Sequence, residues 1–129
     1  MSTTLSQVRN VLESQPGIRQ AVVFGSVASG RARADSDLDI AVDAGRPLDA
    51  SAKARLIEAL AAATGRAVDL IDLRTVGEPL LGQILKHGRR VVGSDAERAE
   101  LIRRHLFDAE DFLPYVDRML HQRRRAWIG

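Results

Sequence analysis

From Asp37 to Asp43 the sequence alternates without a break. Leu38, Ile40 and Val42 fall on one side, and Asp37, Asp39, Ala41 and Asp43 on the other. A period of two is that of a strand with one face in a core. The other elements arrange themselves around this strand. Ile18 to Phe24 reads as a strand whose apolar run Ala21–Phe24 suits burial on both faces. Ala67–Leu73 supplies a third strand, and Arg89–Val92 a short fourth. Helical patterns lie between them. Leu5–Gln15 is stopped by Pro16-Gly17, a helix running to Thr64 has Asp49 and Ser51 as N-cap candidates and Gly65 as its stop, and Pro79 opens a helix through His87. Ser94 caps a long C-terminal helix striped by Leu101/Ile102, His105/Leu106, Phe112/Leu113, Val116 and Met119/Leu120, with Pro114 expected to break or kink it. The class is α/β (α+β): a small mixed sheet covered by helices.

A chain of 129 residues with 45% hydrophobic and 28% charged residues suits one globular domain over 1–129. Cysteine is absent, which excludes disulfides, thiolate metal sites and thiol catalysis. No apolar run reaches the ~20 residues of a membrane span. The start, Met1-Ser2-Thr3-Thr4, carries no signal-peptide pattern, so a cytoplasmic location is expected. Nineteen basic residues, all arginine except Lys53 and Lys86, face seventeen acids. A net charge of +2 gives no general case for nucleic-acid binding, and direct binding is not expected.

The chemistry concentrates between Gly25 and Asp39. Asp37 and Asp39 are two apart on a strand, so their carboxylates leave the same face roughly 7 Å apart along the chain. Two like charges so placed oppose each other unless a cation lies between them, and Mg²⁺ is suited to carboxylate oxygens together with substrate phosphates. An isolated Asp-x-Asp is more often a solvated strand face. Here, however, Gly25-Ser26 follows a buried strand and opens a turn, where backbone N–H groups can approach a phosphate. A P-loop is excluded, because Arg31-Ala32 stands where Lys-Ser/Thr is required.

Gly-Ser, ten intervening residues and Asp-x-Asp together resemble the signature of the nucleotidyltransferase superfamily, the fold shared with DNA polymerase beta. The stretch from Gly25 to Asp39 resembles its minimal members, the MNT proteins, and departs from their pattern at Ser29, where arginine is common. The resemblance implies a nucleotidyltransferase fold with its motif core in 18–73 and a helical region over 94–129. It implies Asp37, Asp39 and a third acid as catalytic residues and ligands of two Mg²⁺ ions. The acid within Val68-Asp69-Leu70 matches, so Asp69 is taken over Asp72, which should face the other side of the strand. Gly25, Ser26 and Arg33 would bind the nucleotide.

For function, the resemblance implies an antitoxin that uses ATP to AMPylate a tyrosine of a cognate HEPN ribonuclease toxin. Two alternatives stand beside it: an antitoxin that neutralises its partner by binding alone, and a small-molecule enzyme like those that modify aminoglycosides. The remaining candidates have plainer readings. His87 lies at a helix end, His105 and His121 have no metal-ligand spacing, and Arg123-Arg124-Arg125 with Trp127 reads as a solvated basic tail.

Overall fold

The first helix, α1 (Thr3–Glu13), turns Leu5, Val8 and Leu12 inward. In the computed structural model, which describes residues 3–108 and Arg118, it starts and ends two residues earlier than its pattern implies. The N–H groups of Ser14 and Gln15 reach back only three residues, to Val11 and Leu12, so the chain leaves the helix in tight turns before Pro16. Strand β1 (Gln20–Phe24) follows. It begins later than Ile18, although Arg19 N–H still donates to the Asp43 carbonyl across the ladder. A five-residue helix, α2 (Gly25–Ser29), comes next and is closed by Gly30.

The alternating segment forms β2 (Leu38–Asp43), so Asp37 stands one residue ahead of the strand. Helix α3 (Ala50–Thr64) is capped by the Asp49 carboxylate, which accepts from Ala52 N–H at 2.7 Å, and is stopped by Gly65 in the left-handed conformation. Then come β3 (Val68–Asp72), α4 (Leu80–His87) and β4 (Arg89–Val92). Pro79 sits at the N-cap of α4, just outside the first turn. Residues 95–108 are helical, labelled here α5, and start from a capping box. Glu97 N–H donates to Ser94 Oγ, while Ser94 N–H and its hydroxyl donate to the Glu97 carboxylate. The stripe beyond 108, Pro114, His121 and the basic tail lie outside the described residues.

The four strands run in the order β3-β2-β1-β4, with β2/β3 parallel and the other pairs antiparallel. The sheet is therefore mixed, and both of its faces are covered. On one face Ala21, Val23, Leu38, Ile40, Val42 and Leu70 pack with α1 and with Leu56 and Leu60 of α3. On the other, Val22, Ala41 and Leu73 pack with Leu81, Ile84 and Leu85 of α4 and Leu101 of α5. The second face is covered toward one end only. Its remaining end carries the carboxylates. No helix among the described residues is long and apolar enough to cross a membrane.

Candidate active site

Parallel pairing of β2 with β3 sets Asp39 directly opposite Asp69. Both leave the face that Ala41, Ile71 and Leu73 also share, because side chains alternate along each strand. Asp37, two residues before Asp39, approaches from the open end of the sheet. Asp39 is held above the ordinary carboxylate range, first by burial and then by the charges of Asp69 and Asp37.

Gly25 explains how Asp39 is accommodated. β1 delivers the chain to Phe24, which lies opposite Asp39 in the antiparallel register, and the backbone then turns sharply into α2. Gly25 has φ +71°, and a Cβ there would fall on the Asp39 carboxylate. Only glycine offers both that dihedral without strain and the room for the acid. Ser26 is the next residue, in the first turn of α2, so its hydroxyl and the early N–H groups of the helix share the end of the sheet with the acids.

The loop from Arg31 to Asp37 is tied down at several points. Arg31 N–H donates to the Ser26 carbonyl at 3.0 Å, Arg33 N–H to Ser36 Oγ at 2.8 Å, and Ser36 N–H to the Arg33 carbonyl at 3.1 Å. The Arg33 side chain is exposed, and its guanidinium has no hydrogen-bond partner among the described residues. Sequence reasoning did not single out Arg66. Its Nη1 donates to the Arg33 carbonyl at 2.6 Å and to the Ser36 carbonyl at 2.9 Å. Arg66 stands three residues before Asp69, so one guanidinium links the loop leading to Asp37 with the strand carrying Asp69. Nothing local in the sequence marks it, since its partners lie about thirty residues away.

Asp72 takes the opposite side of β3. Its carboxylate accepts from Arg74 N–H at 2.9 Å and from Leu48 N–H at 3.4 Å, closing the turn after the strand and tying it to the segment before α3. That is the work of a turn residue.

Among the described residues no three His, Cys, Asp or Glu side chains are gathered into a metal-binding cluster. The donor set formed by Asp37, Asp39 and Asp69 nevertheless suits Mg²⁺. It is composed of hard oxygens, its charges are mutually repulsive, and Mg²⁺ characteristically takes one or two carboxylates and fills its shell with water and substrate phosphates. A hydroxyl, early helix N–H groups and acidic oxygens on one open sheet end make a site suited to a phosphate-bearing substrate.

Comparison with known proteins agrees with this fold. Residues 6–97 match the family described as polymerase beta, nucleotidyltransferase. The chain is 32% identical over 90 residues to the protein adenylyltransferase MntA of Shewanella oneidensis, covering 70% of this chain and 65% of that relative. Thus it spans just under two thirds of the curated relative it matches. A crystal structure of a toxin–antitoxin with AMP-PNP superposes with a TM-score of 0.79 at 25% identity, covering 92% of this chain and 96% of that one. A structure of tri-AMPylated Shewanella oneidensis HEPN toxin in complex with MNT antitoxin gives 0.74 at 22% identity, with 92% and 94% covered, and so speaks for the fold. The residue pattern, the sheet order and a family match spanning most of the chain converge, and the chain belongs to the polymerase beta nucleotidyltransferase family.

Proposed function

We propose that this chain is a Mg²⁺-dependent nucleotidyltransferase that transfers AMP from ATP to a tyrosine hydroxyl of a HEPN-family toxin, and so acts as its antitoxin. The observation that carries the reading is the register of Asp39 with Asp69, set over a glycine whose missing side chain makes room for the carboxylate. The adenylyltransferase relative and the AMP-PNP-bound toxin–antitoxin of like fold support the choice of nucleotide, reaction and partner.

In this scheme Asp37, Asp39 and Asp69 hold the metal. Bound Mg²⁺ supplies charge neutralisation for the triphosphate and activation of the attacking hydroxyl. Gly25 and Ser26 present N–H groups and a hydroxyl to the phosphate chain, and Arg33 adds positive charge from the loop. Asp69, on the outer strand, accepts the proton of the attacking hydroxyl. The tyrosine oxygen bonds to the α-phosphorus, the bond from that phosphorus to the bridging oxygen breaks, and pyrophosphate leaves. The chemistry of this scheme lies within 18–73, and the acceptor hydroxyl is that of the toxin tyrosine.

Incubating the chain with its cognate toxin, ATP and Mg²⁺ and then weighing the toxin tests the proposal. The expected result is one or more AMP increments, absent with Asp37→Ala/Asp39→Ala. A neutralised but unmodified toxin would favour inhibition by binding alone, and AMP on aminoglycosides would favour a small-molecule enzyme.

A further inference from the structure

A second charged feature lies beside the site, and the scheme above does not use it. Lys86 and His87 at the end of α4, Arg89 and Arg90 on β4, and Arg98 on α5 line an open groove of about 690 Å³ whose floor includes Ala28 and Ser29. No acidic residue lines it. Of these five side chains, only Arg90 has a carboxylate partner among the described residues, Asp95 at 2.9 Å through Nη2, and its Nη1 is shielded from solvent with no hydrogen-bond partner. Elsewhere acids nearly balance bases, the whole chain carrying only +2, so five basic groups around one groove are a local concentration.

Helix capping accounts for part of this arrangement. Arg89 Nε donates to the Ala28 carbonyl at 3.2 Å, and Arg98 Nη2 to the Leu85 carbonyl at 3.1 Å. Both carbonyls lie in the last turns of their helices, where cations are favoured. Each arginine commits one nitrogen to that contact. The remaining side-chain donors of both arginines have no hydrogen-bond partner among the described residues, and a guanidinium fork of this kind can bind an oxyanion in a bidentate manner. The side chains of Lys86 and His87 are exposed and have no hydrogen-bond partner among the described residues.

We propose that this groove docks an acidic segment of the protein acceptor, using aspartate or glutamate carboxylates, and so brings the acceptor hydroxyl toward the carboxylate site. The inference rests on the reading of a protein acceptor given above. Position supports it: Ser29 is three residues from Ser26 on the same short helix, about 5 Å along its axis, so a ligand in the groove borders the nucleotide site. The lining also separates carboxylates from a nucleic-acid strand. It contains no Phe, Tyr or Trp, and hence none of the stacking platforms on which single strands depend.

The test uses the full chain and a fluorescein-labelled hexaglutamate peptide, followed by anisotropy, beside a labelled oligo-dT of equal charge. Wild type should bind the peptide, more weakly as NaCl rises from about 50 to 300 mM. Lys86→Glu/Arg89→Glu should lose at least tenfold in affinity, and Arg46→Glu/Arg55→Glu, the same charge change at exposed positions outside the groove, should lose little. If the double variant folds poorly, Lys86→Glu alone, at an exposed side chain without hydrogen bonds, should still weaken binding several-fold. Tighter binding of oligo-dT than of peptide overturns the assignment in favour of nucleic acid. Peptide binding that is absent, or unmoved by reversal within the groove, also overturns it. A parallel titration of wild type with Mg²⁺-ATP keeps the two readings apart. ATP binding without peptide binding removes the groove proposal alone, whereas peptide binding without ATP binding removes the transferase reading.

Discussion

Asp39 shows what a half-buried carboxylate beside other acids costs the fold that carries it. Its acidity is weakened by burial and by Asp69 and Asp37, so the folded protein holds that proton more tightly than the unfolded chain does. For an acid raised in this way, ionisation opposes folding, and stability rises as pH falls through the folded pKa. Asp39→Asn should therefore melt at a higher temperature than wild type at pH 7 in EDTA, with the gap closing toward pH 4 as the wild-type carboxyl becomes neutral. The same variant should lose transfer activity. A lower melting temperature at pH 7 would mean that Asp39 has a favourable partner in the folded state. Asp69 and Asp72 separate by a different measure. Asp69→Asn should reduce transfer by about 100-fold or more, the range of a lost general base. Asp72→Asn should retain most activity but lose about 1 kcal/mol of stability in urea titration, because its carboxylate holds the Arg74 and Leu48 N–H groups.

At the scale of elements, the site is an end of a sheet joined to a loop, and Arg66 makes the joint. Its guanidinium holds two carbonyls of the segment that leads to Asp37. Arg66→Ala should leave the strands intact yet loosen that segment, lowering kcat/KM for ATP by about tenfold or more through misplaced ligands, with little change in melting temperature. Arg66→Lys keeps one charged donor and should recover part of the loss; equal loss in both variants would mean that the fork geometry itself is required. The strands and the Gly25–Asp39 motif were legible in the sequence because their signals are local: alternation, a Gly-Ser turn and caps at fixed offsets. Element ends were less so. Asp37 falls outside β2, and α1 closes early, because ladder bonds and tight turns decide those residues. Arg66, the anchored arginines of the groove and the contact of Glu78 with His105 were not legible, since each joins residues far apart in the chain.

For the molecule as a whole, the two faces of the sheet have separate tasks. The face under α1 and α3 is closed by aliphatic side chains along its length, while the other is closed by α4 and α5 at one end and bears the acids at the other. Polar contacts join α5 to the α4 region beside Leu101: besides the Arg98–Leu85 bond, His105 Nδ1 lies 2.6 Å from Glu78 Oε1, just ahead of α4, and Gly82 N–H donates to the other Glu78 oxygen at 3.2 Å. Glu78 is the more enclosed partner, its side chain 12% exposed against 31% for His105. A Cβ on Gly82 would meet the imidazole ring, so only a residue without a side chain lets α5 approach this closely there. Removing the ring should leave a largely enclosed carboxylate short of one partner, a loss of about 1–3 kcal/mol. His105→Ala should therefore shift the urea midpoint downward, while Mg²⁺-ATP affinity, set at the opposite end of the sheet, stays within about twofold by the near-additivity of distant sites. If ATP affinity falls in step with stability, the cover and the catalytic end form one cooperative unit. The α4/α5 layer would then be the route by which a partner bound there reaches the carboxylates.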